Sequence, residues 1–199
     1  MVIAGVDEAG RGPLAGPVVA ACVTFKRDYC LPGLFDSKKT PKEKREYLFD
    51  AVYDQALGVG VGVVDSTYID QYNILRATFK AMSLAVGQLN ELPDAVLVDG
   101  NQTIPGLQVR QIAVVKGDVF ITSIAAASIV AKVTRDRIMD EFDHKYPAYG
   151  FCKHKGYGTK EHLNSLLLYG PSPIHRMSFS PVRAVVGTGK AIVSQKAEV

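Results

Sequence analysis

Val2-Ile3-Ala4-Gly5-Val6-Asp7-Glu8-Ala9-Gly10-Arg11-Gly12-Pro13 is the stretch on which the reading of this chain turns. Residues 2–6 are apolar and predict a buried strand. Asp7 and Glu8 stand at its carboxyl end, where desolvating two carboxylates is costly unless a cation meets them. A hard divalent ion is the natural partner, because carboxylate oxygens suit magnesium and manganese. Gly10 and Gly12 let the backbone approach a ligand and turn its N–H groups outward, and Arg11 adds a cation. Acids for a metal beside bare amides point to phosphate chemistry. The plainer alternative is a strand-to-loop exit with solvated charges, and the rest of the chain decides between them.

Outward from this stretch, residues 17–25 predict a second strand. Thr40 reads as a helix cap, with Pro41 at the first helical position and Glu43 completing a capping box; that helix should run to about residue 56. Residues 57–64 alternate Gly with Val, which suits a strand packed closely against its neighbours. A second helix is expected over 66–89, with Ile74, Leu75, Thr78, Met82, Ala85, Val86 and Leu89 as its apolar stripe. Strands over 95–98 and 108–115 follow, then a long helix from about 119 to 146, ended by Pro147, and a last helix over 159–169. Strands first, then strand and helix in alternation, predict an α/β fold: a mixed sheet flanked by helices. Functional groups in such sheets gather at strand carboxyl ends. Asp7, Glu8 and Asp99 follow predicted strands directly and Asp118 follows the next after two residues, so four acids leave consecutive elements at comparable positions, as a metal cluster requires.

Bulk properties narrow the class. With 199 residues and 47% hydrophobic residues, one globular domain is expected, over residues 1–186, followed by a disordered tail over 187–199. The net charge of +3 is too small to argue for nucleic acid by itself. From Lys145 to Arg183, however, the chain carries Lys145, Lys153, Lys155, Lys160, Arg176 and Arg183 with His154, His162 and His175 among them, against Glu161 alone. Such a basic part, about 147–186, can track a phosphate backbone or be a solvated surface. Cys22, Cys30 and Cys152 lack metal or redox spacing and read as reduced thiols. No secretory signal and no membrane-spanning run is expected, so the reading is a cytoplasmic monomer without a membrane partner. The three histidines offer no metal-ligand spacing.

In order and spacing, GVDEAGRGPLAGPVVAA from Gly5, DSKK from Asp36, YNILRAT from Tyr72, LVDGN from Leu97, KGD from Lys116, AAASIVAKVTRDR from Ala125, HKGYGT from His154 and HRMSF from His175 resemble the ribonuclease HII family in its bacterial form. Arg11, in the glycine turn, favours type 2 over the related type 3 enzymes. The resemblance implies a ribonuclease H-like core with a helical C-terminal part. It implies an endonuclease that cuts RNA in RNA–DNA hybrids and single ribonucleotides embedded in duplex DNA, with Mg2+ or Mn2+ as cofactor and 3′-hydroxyl and 5′-phosphate products. Asp7, Glu8 and Asp99 would be the principal metal ligands and Asp118 the fourth acid. Gly10, Arg11, Gly12 and Tyr157 would read the RNA–DNA junction.

The chemistry needs activated water and a stabilised leaving 3′-oxygen, which two divalent ions roughly 4 Å apart provide. Asp7 is the candidate bridge. Neighbours on a regular strand face opposite sides, so Asp7 and Glu8 converge only if the backbone bends, and Gly10 and Gly12 make a bend available. RNA differs from DNA at its 2′-hydroxyl, which the bare backbone of residues 10–12 can sense. Lys38, Lys39, Lys132 and Lys155 are candidate phosphate contacts, and Ser123 and Ser128 either position the strand or pack the helix. Competing readings are another metal-dependent nuclease or phosphoryl transferase and a non-catalytic nucleic-acid binder. A dinucleotide site is excluded, because Gly10-Arg11-Gly12-Pro13 lacks the third glycine at its spacing.

Overall fold

The structure is a computed structural model that describes residues 1–26, 29, 31–34 and 41–187. Asp36, Lys38, Lys39, Thr40, Cys30 and the expected tail beyond Gly187 lie outside the described residues.

Five strands form one sheet in the order β3-β2-β1-β4-β5. They are β1 (Ile3–Ala9), β2 (Val18–Thr24), β3 (Gly58–Val64), β4 (Ala95–Asp99) and β5 (Arg110–Val114). β1, β2 and β3 pair antiparallel, and β4 and β5 extend the sheet in parallel from β1. The sheet is therefore mixed, as the element order predicted. A long helix leads from β3 into β4, whereas β4 and β5 are joined by residues 100–109, which contain no helix.

Among the described residues six helices surround the sheet: α1 (Lys42–Gln55), α2 (Ser66–Gly87), α3 (Thr122–Lys145), α4 (Phe151–His154), α5 (Lys160–Tyr169) and α6 (Ser180–Gly187). Strand alternation sorts the core into two layers. Ala4, Val6, Val18, Ala20, Cys22, Val96 and Val98 face α2. Val19, Ala21 and Val23 face α1 and α3. The glycines of β3 explain its composition. A Cβ at Gly60 or Gly62 would overlap the backbone oxygen of Ala85 or Ala81, so α2 lies directly on the strand.

Several boundaries differ from expectation. β1 continues through Asp7 and Glu8 to Ala9 because those residues pair with Ala21, Ala20 and Val19 of β2. Pro41 has ψ 156 and stands before α1 instead of inside it, without a side-chain cap. Asp65, accepting from the Tyr68 N–H, caps α2. α2 also breaks at Asn73 (φ 71), whose Oδ1 accepts from Leu75 and Arg76 N–H and so caps the second half anew. The break rotates Leu75 out of the expected stripe to 38% exposure. α3 begins at Thr122, after a short turn over Gly117–Val119. α4 and α6 were not anticipated. Among the described residues no helix is long and apolar enough to cross a membrane.

Candidate active site

The acids meet through strand register. β1 and β4 pair in parallel, with Gly5 opposite Leu97 and Val6 opposite Val98. The next pair in line is Asp7 and Asp99, so two carboxylates share one face at the carboxyl ends of adjacent strands. That face belongs to α3. Gly5 is bare there because a Cβ would overlap the backbone of Ser123 and Ile124. One turn on, the Ser128 hydroxyl bonds Asp7. Ser128 thus holds an acid, while Ser123 packs against the strand.

Glu8 stands on the opposite face, as alternation demands, and the expected backbone bend between the acids is absent: β1 stays paired through both. They interact across the strand end instead. Burial pushes the Asp7 carboxyl well above the usual carboxylate range, and the charges of Glu8 and Asp99 raise it further, while Ser128 and the Glu8 N–H oppose the shift. Burial also raises Glu8, with Asp99 adding; Arg11 counteracts through an Nη1–Oε1 contact of 3.4 Å. Asp118 is buried in the turn after β5, and the Gly117 N–H donates to Asp99 Oδ1 at 2.8 Å, which ties that turn to Asp99. Among the described residues no three His, Cys, Asp or Glu side chains are gathered into a ready metal cage. The open arrangement still fits a magnesium-like ion, which keeps several waters and takes only one or two carboxylates. The donors are hard oxygens, and the upward shifts of Asp7 and Glu8 are of the kind a nearby cation relieves.

A cleft of about 410 Å³ adjoins the acids, lined by Glu8, the turn Gly10-Arg11-Gly12, Arg45, Ser128, Lys132 and Tyr157. A second of about 220 Å³ shares Glu8 and Arg11 and reaches Asp99, Asn101 and Gln102. Gly10 has φ +98, and a Cβ there would overlap Arg135, so glycine is required twice over. Tyr157 is 45% exposed beside Gly12, whose added Cβ would lie 3.8 Å from its ring. Lys132 lines the cleft with Nζ held by Asp136 Oδ1 at 2.7 Å. Lys155 is placed differently: its ammonium pairs with Asp140 and its side chain is 14% exposed, outside the cleft lining. Lys38 and Lys39 lie outside the described residues.

The basic C-terminal part divides in two, with Lys145, Lys153, Lys160 and Arg183 exposed and other members turned inward. Arg176 is fully buried, and so in effect are His154, His162 and His175. The rings form one stack: His154 lies 4.5 Å from His162 between centroids, and His162 Nε2 is 3.0 Å from His175 Nε2. A neutral proton arrangement satisfies it. The Ser172 N–H donates to His175 Nδ1, His175 Nε2–H to His162 Nε2, and His162 Nδ1–H to the Tyr157 carbonyl. These histidines seat Tyr157. Sequence spacing failed to unite them because they come from three separate segments. Arg45 was also missed; nothing in its helical neighbours distinguishes it from a surface arginine.

Comparison with known proteins agrees with this geometry. The ribonuclease HII family model matches residues 4–182. Ribonuclease HII of Acetivibrio thermocellus is 56% identical over 179 residues, 90% of this chain and 70% of the relative. That of Endomicrobium trichonymphae is 51% identical over 188 residues, 94% and 90% of the two chains. The crystal structure of ribonuclease H2 from Pyrococcus horikoshii superposes with a TM-score of 0.79 at 29% identity, covering 94% of this chain and 98% of that one. With its sheet order, its strand-end acids and relatives this similar along nearly the whole chain, this protein belongs to the ribonuclease HII family of endonucleases.

Proposed function

We propose that the protein cuts the RNA strand of RNA–DNA hybrids and cuts at single ribonucleotides in duplex DNA, by divalent-ion-assisted attack of water that leaves 3′-hydroxyl and 5′-phosphate ends. The observation that carries this reading is the register of β1 and β4, which sets Asp7 beside Asp99 at one strand end next to a bare glycine turn. Asp7, Glu8 and Asp99 are the ligands, with Asp118 the fourth acid behind Asp99. Bound Mg2+ or Mn2+ supplies positive charge for the leaving 3′-oxygen and lowers the pKa of the attacking water.

The chain's own residues divide the remaining work. Ser128 fixes the Asp7 carboxylate so that its free lone pairs face the strand end. Arg11 holds Glu8 and opposes the upward shift that burial gives its carboxyl group. The amides of the turn sense the ribose 2′-hydroxyl, a group DNA lacks, and the exposed Tyr157 ring packs on the sugar beside them. Lys132 and Arg45 present cations to phosphate on the far side of the cleft. The protein acts as a cytoplasmic monomer on duplex nucleic acid.

Product mapping tests this. Duplexes with one embedded ribonucleotide, with an RNA–DNA hybrid, and of all-DNA or all-RNA are incubated with Mg2+ and with Mn2+. Cleavage confined to the first two, with 3′-hydroxyl ends, is expected. Cleavage of all-DNA at a similar rate, or cyclic-phosphate ends, overturns the reading.

A further inference from the structure

The glycine turn does not hold its own shape. Its Gly10 and Arg11 carbonyls point into the protein, where the buried Arg176 guanidinium takes them, while Arg135 holds the segment that follows. Arg176 Nη2 donates to the Gly10 carbonyl at 2.6 Å and Nη1 to the Arg11 carbonyl at 3.0 Å. Its Nε and Nη2 also bind the carbonyls of Gly16 and Pro17. Arg135 donates to Ala15, Pro17 and Lys155. In a trans peptide the C=O and the following N–H point in opposite directions, and the described residues contain no cis peptide. Carbonyls drawn inward at Gly10 and Arg11 therefore turn the N–H groups of Arg11 and Gly12 outward, on the side that lines the cleft. Among the described residues neither N–H donates to a protein acceptor.

We propose that Arg176 is a positioning residue for substrate recognition: by holding the Gly10 and Arg11 carbonyls, it aims two adjacent backbone N–H donors at the substrate's ribose. This rests on the turn being the ribose-sensing element. The residue is placed for the purpose. Its own N–H donates to the Leu14 carbonyl, and Ala15 pairs with His175, so HRMSF and the turn form one two-stranded patch. Arg176 is 0% exposed and belongs to no ion pair that would give it another role among the described residues. A lysine could not replace it, because one ammonium cannot reach in the planar fork geometry that serves several carbonyls at once.

The experiment compares wild type with Arg176→Lys on the single-ribonucleotide duplex in Mg2+. With the protein still folded by circular dichroism, kcat is expected to fall roughly 10²-fold, the scale of a misplaced catalytic geometry. KM should change little, because the phosphate contacts of Lys132 and Arg45 remain. Amide resonances of Arg11 and Gly12 should shift in the same variant, while those of β3 stay put. A folded variant with wild-type kcat, or with unmoved amide resonances, overturns the proposal. A second arm uses wild type alone, so failure of the variant to fold leaves the test standing. In EDTA, titration with the single-ribonucleotide duplex should shift the Arg11 and Gly12 amides, and the matching all-DNA duplex should not. Equal shifts with both overturn the proposal. Wild type that cleaves normally in either failing case leaves the enzymatic reading intact; wild type that never cleaves the ribonucleotide duplex removes that reading instead.

Discussion

Acidification tests the histidine stack and, through it, the seat of Tyr157. Burial, the largest cause in each case, holds His162 at about 4 and His175 at about 3, against an ordinary 6.5. The unfolded chain returns both to about 6.5. Between those limits the unfolded state binds more protons, so stability rises with pH. The contribution is complete above about pH 6.5 and is lost as pH falls toward 4. At about pH 5 a folded ring is still neutral while an unfolded one has been protonated for about 1.5 pH units, which amounts to roughly 2 kcal/mol per ring. The two rings face each other at 3.0 Å, with the His162 and His175 N–H groups already committed along the chain to Tyr157, so charging either ring sets a cation in a buried site against its neighbour. Between about pH 7.5 and pH 5 the pair should cost roughly 2–4 kcal/mol, which for a protein of this size is roughly 5–15 °C in Tm. Asp7 and Glu8, raised instead of lowered, act with the opposite sign and must be cancelled. Urea unfolding of wild type and His162→Gln at matched pH does so, since both keep the acids. The variant's loss between the two pH values should be smaller by about 2 kcal/mol. Parallel curves would refute the neutral stack.

Asp7→Asn should abolish cleavage in Mg2+ with the fold intact. Because the ionised Asp7 is disfavoured in the folded state, the variant should also melt about 2–4 °C higher than metal-free wild type, on the scale of about 1 kcal/mol; a lower Tm with normal turnover would remove Asp7 from the site. The raised carboxyl groups also make protons compete with the cation, so half-saturation by Mg2+ in an activity titration should rise as pH falls. Tyr157→Ala should slow cutting at a lone ribonucleotide far more than it lowers Tm, as its ring is exposed, and unchanged junction kinetics would argue against its role. Gly62→Ala places a Cβ against the Ala81 carbonyl under α2 and should cost about 1–3 kcal/mol in urea unfolding with kcat preserved.

Much of the site was legible because its signals are local. A run of apolar residues ending in acids, the bare glycine turn and the KGD turn each announce a strand end without outside help. The alternation of glycine and valine in 58–64 foretold the close approach of α2, and the Gly60 and Gly62 overlaps give its reason. What failed was non-local. β1 could not be seen to run to Ala9, since pairing with β2, not residue type, extends it. Whether the backbone bends between Asp7 and Glu8 was likewise beyond the local sequence, since the pairing with β2 that keeps both in the strand is a long-range contact. Whether Arg176 and the histidines track phosphate, lie on the surface or enter the core was left open, because composition records charge but not burial. The Asp140 partner of Lys155 lies on α3, outside the segment from which Lys155 is read.

The amino-acid sequence by itself determined which residues can do the chemistry: acids at strand ends, glycines where no side chain is tolerated, and the family to which the chain belongs. Only the tertiary structure decided that Asp7 lies beside Asp99, that three distant histidines cluster against the Tyr157 backbone, and that Arg176 holds the turn from within. The physical reason is that residue type and local periodicity fix what a short segment can form, whereas register, burial and hydrogen-bond partners are set by segments far apart in the chain that meet only when the sheet assembles.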